Sequence, residues 1–482
     1  MIGLESVGYG ERFTIRKRAR GKFRIALVYP SSYKVAISNL GFRIIYHLLN
    51  LDDRLYCERF TLDSERSIET GSRLRDFDLI LFCYQYEPDL FEIARIILRF
   101  KLFDKPKLIG GPCAYNPFPL KGMVEYVYLG EAEASLVEFA DAVIRGFDEE
   151  CIARIGGVFS FGSLRRIRRV YPEPLNSFLP AFQVSSRLSV FGDALLIDVS
   201  RGCRWACKFC LGRIVYAPYR ERSLDQLIRV IEDGVLRGGY EAVALIASDL
   251  NSYSRLGELI ELLRRLRKIK RFRIIAPSLR ADTLSEDLVS LLVESGERTV
   301  TLAPESSEEL RFRVGKPFTD ETLLKACKRL KDLGIRRLKL YFMFGLPGET
   351  MKDLESIVNL VKRIAEMRFV VRVSANPFVP KPHTPMEDAE LQDLRELRRK
   401  LRFLRRMLGG MLTTDGIRQA YLQAMIGRGD EAIGRLIMEA AKQSDKPYMS
   451  LLKRKARQLG INLDEYAKHG SEEKPWRRII LS

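Results

Sequence analysis

Histidine is nearly absent from this chain: its 482 residues include only His47, His383 and His469. Imidazole is therefore scarce as a metal ligand. No run of about 18 apolar residues occurs, which excludes a membrane-spanning helix. The amino end, MIGLESVGYGERFTIRKRARGKF, has positive charge but no apolar stretch before a cleavage site. A secretory signal is not expected, and a cytoplasmic location is the default. There is no internal repeat or low-complexity tract. Disulfide scaffolding is not suggested by eight cysteines in such a chain. What is present is an ordinary balance of 46% hydrophobic and 30% charged residues, enough for two to four folded domains. The balance of charge is basic, 81 Lys and Arg against 62 Asp and Glu, a formal +19. A polyanionic partner such as RNA is one reading of that surplus; an Arg-rich solvated surface is the other.

Residues 1–150 read as an open, Rossmann-like α/β domain. Strand candidates are RIALVYP (24–30), FDLILFCY (77–84), KPKLIGG (105–111) and EYVYLG (125–130). Helices are expected around 40–49, over DLFEIARIILRF and through about residue 144. Short apolar strands alternating with helices predict a parallel sheet covered on both faces. Its ligands would sit beyond the carboxyl ends of the strands. Residues 151–192 break this rhythm with Gly, Ser, Pro and a basic cluster, Arg165, Arg166, Arg168 and Arg169. They are expected to connect, and to pack across the next domain.

From 193 to 387 a second α/β series has strands near 194–200, 241–248, 273–279, 299–303, 337–344 and 369–378. Ser223, Ser285 and Thr319 are N-cap candidates, and Gly334 is a helix stop. Six strand–helix units predict a partial (β/α)6 barrel of the TIM type, with its site at the carboxyl ends of the strands. A doubly wound open sheet is the alternative. Beyond residue 388 the strands stop. A basic amphipathic helix, LQDLRELRRKLRFLRRML, carries Arg399, Arg402, Arg405 and Arg406. Further helices over 416–441 and 447–459 complete a small helical carboxyl-terminal domain, 388–482, expected to close or decorate the barrel.

Five cysteines are scattered: Cys57, Cys83, Cys113, Cys151 and Cys327. Cys83 and Cys327 sit in core contexts. The other three fall within eight residues, in SRGCRWACKFC, as C-x3-C-x2-C just after the first barrel strand. A loop can wrap three such thiolates around one [4Fe-4S] cubane, leaving one iron open for a small molecule. A structural zinc normally takes four ligands, and no histidine lies near the motif. A low-pKa redox cysteine would need only one or two of these residues. Spacing favours the iron–sulfur reading over those two.

With Phe209 just before the last cysteine, the motif resembles that of the radical S-adenosylmethionine (SAM) superfamily. The resemblance implies that Cys203, Cys207 and Cys210 hold the cluster and that its open iron chelates the amino and carboxylate groups of SAM. An electron from a donor such as ferredoxin or flavodoxin would then cleave a carbon–sulfur bond and yield a 5'-deoxyadenosyl radical. Where the family usually has a Gly-Glu-type segment after the second strand, this chain has Ala247-Ser248-Asp249, making Ser248 and Asp249 the implied SAM contacts. Ser278 and Arg280 correspond to positions near the ribose or carboxylate. Glu305, in APESSEELR, falls where a polar residue faces SAM. FGLPGET, with Gly345, resembles the turn near the adenine. His383, in PFVPKPHTP, either faces the substrate or holds the Pro-rich loop.

Residues 1–150 resemble the cobalamin (B12)-binding domain fused to many radical SAM enzymes. The resemblance is carried by YPSSYKVAISNLGFRIIYHLLN, GSRLRDFDLILFCYQYE and GGP followed by YLGEAE. With the Arg428–Asp430 helix and the Pro475-Trp476 ending, it covers nearly the whole chain. The departure is that Ser38-Asn39-Leu40-Gly41 stands where the family has D-x-H-x-x-G, so a bound cobalamin would lack the lower histidine. Gly110, Gly111, Gly130 and Glu131 are the pocket candidates, since glycine lets backbone approach a bulky ligand. A degenerate domain kept for folding or substrate docking is the alternative. The implied reaction is at an unactivated carbon. It is methyl transfer if cobalamin binds, or hydrogen abstraction with rearrangement or sulfur insertion if not. Methylthio transfer to tRNA is a narrower version, opposed by the strand and turn contexts of Cys57, Cys83 and Cys113. An RNA-binding protein with a structural cluster is a reading from another class. No motif names the substrate.

Overall fold

The computed structural model describes residues 9–146, 148–162, 167–443 and 449–480. Arg165, Arg166 and the start of the helix expected from Pro447 lie outside the described residues. The chain forms two compact units. One comprises residues up to 196, 237–240 and 425 onward; the other comprises 197–236 and 241–424. Among the described residues, no helix is long and apolar enough to cross a membrane.

In the first unit, β1 (Phe23–Val28), β2 (Leu55–Phe60), β3 (Leu79–Cys83), β4 (Lys107–Gly110), β5 (Tyr126–Tyr128) and β6 (Val158–Ser160) make one sheet. Its order is β2-β1-β3-β4-β5-β6. All neighbours are parallel except β6, which runs antiparallel to β5. Strand order reverses at β1/β3, the topological switch point where sheets of this type take their ligands. The helix Leu40–Leu51 starts at Asn39, whose side chain accepts the N–H of Phe42.

The sequence reading missed β2. Its segment, LYCERF, is buried at every position, including Glu58 and Arg59. Burial of Arg59 is possible because its guanidinium bonds Glu11 and Glu69, each at 2.6 Å, while its face lies 4.3 Å over the Tyr46 ring. Such a charge is tolerated inside only when it is paired and hydrogen-bonded.

Two expectations are corrected here. The connecting segment is built into the first unit: β6 joins the sheet, β7 (Ile167–Arg168) pairs with Ile479–Ile480, and Ser185 bridges to Arg12. The carboxyl-terminal helices do not all belong with the barrel either. Residues 425–443 and 449–480 fold with the first unit, where the Asn116 amide donates to Gly427 O (3.0 Å) and Gly429 O (2.8 Å). These bonds run between backbone and a distant side chain, so no local pattern announces them.

The second unit is entered through β8 (Ala194–Asp198) and continues with β9 (Ser200–Arg201), β10 (Arg220–Glu221), β11 (Ala242–Ile246), β12 (Arg273–Ile275), β13 (Thr299–Glu305), β14 (Arg337–Phe344), β15 (Val370–Pro377) and β16 (Leu412–Thr413). β8, β11 and β12 lie side by side, as do β13, β14, β15 and β16, and a Leu279–Leu302 bridge joins the two sets. This is the expected partial barrel. Ser223, Ser285 and Thr319 each accept a backbone N–H at the helix starts expected of them. The short β16 was missed.

One buried histidine in the first unit makes its stability pH-dependent. His47 Nε2 accepts the N–H of Val184 at 2.9 Å. Burial, reinforced by the charges of Arg59 and Arg43, pushes its pKa down to about 3. The unfolded side chain titrates near 6.5. Between those values the unfolded chain binds a proton that the folded unit refuses, so stability falls as pH drops through the window. His47→Gln keeps an acceptor and removes the titration. The urea midpoint of the variant is expected to change less than that of the parent between about pH 7 and about pH 4.5. Equal losses in both would assign the acid sensitivity to other groups.

Candidate active site

The cysteine loop begins where β8 ends. Asp198, the last residue of that strand, is buried and accepts from Arg201 Nε (2.6 Å) and from Arg222 Nε (2.8 Å) and Nη2 (3.0 Å). Burial pushes its carboxyl up, but the two guanidiniums outweigh this and hold it below the usual carboxylate range. β9 and β10 then pair antiparallel, Arg201 opposite Arg220 and Ser200 opposite Glu221, so the neck of the loop is closed.

Beyond the neck, four further contacts fix the backbone that carries the thiols. Trp205, between the first two cysteines, donates its indole N–H to Asp249 Oδ2 at 2.7 Å. Arg280, held by Asp282 through two bonds of 3.0 and 2.7 Å, lies 3.8 Å over the Trp205 ring. Lys208 N–H donates to Val314 O at 2.8 Å, and Phe209 packs against a cluster of Leu310, Val314, Leu346 and Phe378.

Cys203, Cys207 and Cys210 are half-buried, whereas Cys57, Cys83, Cys113 and Cys327 are buried. Burial pushes the Cys203 and Cys207 thiols up. At Cys203 the Trp205 backbone N–H and the Arg280 charge act the other way, and at Cys207 the charges of Lys316 and Arg280 do. Cys210 lies near enough to both to act on each thiol. Nearby cations favour thiolate, the form that binds iron. Among the described residues, no three His, Cys, Asp or Glu side chains are gathered to hold a single metal ion. A cubane places its three thiolates on three different irons. The donor set, three thiols on one braced loop beside two cations, fits that group.

The structure places Asp249, Arg280 and Glu305 around these thiols, where their charges act on Cys203 or Cys207. Asp249 is engaged, accepting also from Ser252 Oγ (2.6 Å) and the Asn251 N–H (3.3 Å). Glu305 follows a break in the β13–β14 register and has a positive φ of 71°, and Lys316 Nζ bonds its Oε1 at 2.8 Å. Ser248, after β11, is exposed, and Ser278, after β12, is half-buried. Gly345 and His383 have local partners. Gly345 donates its N–H to Glu349 Oε2 (2.6 Å), with Leu397 packed where a Cβ would go. His383, at φ 63°, donates its N–H to Glu387 (2.7 Å). Non-glycine residues at positive φ are uncommon and cluster at functional sites. Trp205 and Lys316 were missed by sequence reasoning. A tryptophan inside the motif was the available signal; nothing local marked the lysine.

In the first unit, Gly111 (φ 128°) and Gly130 (φ 146°) occupy backbone conformations that favour glycine. The close approach they permit is that of the chain itself. A Cβ on Gly111 would meet Tyr84 O at 2.5 Å, and one on Gly130 would meet Val170 O. Gly110 is less crowded, with Tyr128 Cβ at 3.3 Å. Glu131 is buried facing Arg169 at 3.5 Å. At the histidine-loop position, Ser38 Oγ accepts the Val190 N–H and Asn39 caps its helix. A corrin with a histidine below it does not fit these residues; one without such a ligand remains compatible with the switch point at β1/β3. Cys57 and Cys83 are strand residues whose thiols burial pushes up, Cys83 to about 12, which sets them apart from the loop cysteines.

The Trp205 contacts generate a prediction. Trp205→Phe removes only the N–H and leaves the buried Asp249 short of a donor, a loss on the order of 1.5–3 kcal/mol for a bond to a charged group. Its urea midpoint and its iron content after reconstitution should both fall. Asp249→Asn keeps an acceptor oxygen and should retain more iron than Trp205→Phe. Parent-like iron and stability in Trp205→Phe would remove the indole from any part in holding the loop.

Comparison with known proteins accounts for both units. The Radical SAM superfamily model matches residues 197–361, and the model for the amino-terminal region of radical SAM proteins matches 41–154. An uncharacterized protein of Methanocaldococcus jannaschii is 32% identical over 471 residues, covering 95% of this chain and 98% of that one. The ribosomal protein uS12 methylthiotransferase RimO of Thermotoga maritima is 28% identical over 177 residues, 35% of this chain and 41% of that one. Among solved structures, the radical SAM methyltransferase TsrM of Kitasatospora setae, with cobalamin and a [4Fe-4S] cluster bound, shares the fold. Its TM-score is 0.59 at 18% identity, over 76% of this chain and 77% of that one. The chain belongs to the radical SAM superfamily of enzymes, in the branch whose amino-terminal domain has the cobalamin-binding-type fold.

Proposed function

We propose that Cys203, Cys207 and Cys210 hold a [4Fe-4S] cluster with which the enzyme cleaves SAM and acts on an unactivated carbon. The observation that supports this most is the braced loop at the carboxyl end of the first barrel strand, with its half-buried thiols beside Arg280 and Lys316. When bound, the cluster supplies an electron and an open iron for SAM. The chain's own residues hold and shield that site. Asp249 and Arg280 act through Trp205 to keep the loop in place. Ser248, Ser278 and Glu305 line the strand ends as SAM contacts, and the bond from Lys316 Nζ directs the Glu305 carboxylate. His383 stands on the exit loop toward the substrate side. A small electron-transfer protein of the ferredoxin or flavodoxin class supplies the reductant.

Methyl transfer with cobalamin is the finer reading. Its support is the sheet order of the first unit and the fold shared with a methyltransferase that carries cobalamin. The corrin would be held without a histidine, since His47 is bound to Val184 and Ser38 to Val190. Methylthio transfer draws support from the partial likeness to RimO. It is opposed by the buried settings of Cys57, Cys83 and Cys113.

Mass spectrometry of SAM products after anaerobic reconstitution, with strong reductant and with or without cobalamin, tests the proposal. 5'-Deoxyadenosine is expected from the parent and not from a variant with all three loop cysteines changed to Ala. S-adenosylhomocysteine formed only with cobalamin would support methyl transfer. Equal 5'-deoxyadenosine from parent and variant would overturn the ligand assignment.

A further inference from the structure

The helix Leu394–Leu408 divides sharply into two faces. Leu397, Leu401, Leu404 and Leu408 are buried, together with Lys400, whose Nζ bonds Glu349 Oε2 at 2.6 Å. The opposite face exposes Arg395, Arg398, Arg399, Arg402, Arg405 and Arg406. Every exposed cation on the helix is thus arginine, and its lysine is used inside. Among the described residues, only Arg399 of the six has a carboxylate partner, Glu396 at 2.8 Å.

This arrangement is unfavourable for the helix itself. Residues three or four apart are neighbours, and like charges there repel. The face contains six such pairs: 395–398, 395–399, 398–402, 399–402, 402–405 and 402–406. Arg402 belongs to four of them. Other basic helices of the same unit set acids against their cations: Arg264 with Glu294, Arg265 with Glu232, Lys325 with Glu321 and Arg329 with Glu286. A face needed only for solvation gains from such mixing. This one forgoes it along about 17 Å of helix.

We propose that this face binds RNA through its phosphate backbone. Arginine presents a planar fork that matches phosphate oxygens, and the exposed cations here are all arginine. A protein partner would require an apolar centre to the interface. Among the described residues, none of the exposed large hydrophobics lies on this helix. A charged ridge without an apolar anchor has the character of a nucleic-acid surface. The inference does not depend on the reaction proposed above.

The test uses the full-length protein and a fluorescently labelled RNA hairpin, followed by anisotropy across a salt series, with melting temperatures in parallel. Each neutralised phosphate contact contributes about 0.7–0.9 to the log–log salt slope. Combined Arg398→Gln, Arg402→Gln, Arg405→Gln and Arg406→Gln should therefore flatten that slope by about 3 and weaken binding at least about tenfold near 0.1 M salt. Arg402→Glu should move two quantities in opposite directions, raising the melting temperature while lowering RNA affinity. Parent-like RNA binding by these variants would overturn the proposal. So would salt-independent binding by the parent, or displacement of the hairpin equally well by polyglutamate, which would mark an acidic polypeptide as the partner. A lower melting temperature in Arg402→Glu would contradict the repulsion from which the inference starts.

Discussion

Asp198 holds two guanidiniums at the point where the first barrel strand gives way to the cysteine loop, and the site depends on that junction. The carboxylate is buried and kept ionised by Arg201 and Arg222. One arginine lies just before the cysteines, and the other follows the strand that closes the neck. Removing either would leave a buried charge partly uncompensated. Beyond the neck, Trp205 is pinned at its N–H and its ring face, while Lys208 and Phe209 tie the far end to the segment around Val314. Three thiols on a loose loop would have to be ordered when a cluster binds; here the protein fold meets that entropy cost in advance.

The same residues connect the loop to the strand ends. Asp249 follows β11 and Arg280 follows β12, so the groups beside the thiols come from neighbouring barrel strands. Electrostatics and burial oppose one another at this place: burial disfavours thiolate, and Lys316 and Arg280 favour it. Glu305 completes the group with a backbone that few residues adopt, held by Lys316. The first unit depends on a comparable buried charge, Arg59 between Glu11 and Glu69, which ties the amino-terminal segment to the sheet's edge strand β2.

Features with a local cause were legible in the sequence. Five barrel strands lay close to their expected spans, and Ser223, Ser285 and Thr319 capped their helices because a cap needs only its own first turn. The cysteine motif was legible for the same reason: its spacing lies within one loop. What depended on distant partners was hidden. β2 was unreadable because Glu58 and Arg59 resemble solvent-facing charges until their partners are known. The placement of the segment that begins at residue 425 rests on amide and backbone contacts more than 300 residues apart. Gly111 and Gly130 were marked as pocket glycines for a bulky ligand; at both, the space beside the backbone is taken by the chain's own Tyr84 and Val170, partners that no local pattern announces. Lys316 had no signal, because only its partner Glu305 drew notice.

In the proposed assignment, three loop thiolates hold a cluster whose remaining iron is open to SAM. Electron paramagnetic resonance of the reconstituted, reduced protein tests it most directly, with iron counted on the same sample. About four irons per chain are expected, with a reduced-cluster spectrum that changes when SAM is added. A full iron count with a spectrum that saturating SAM leaves unchanged would contradict it.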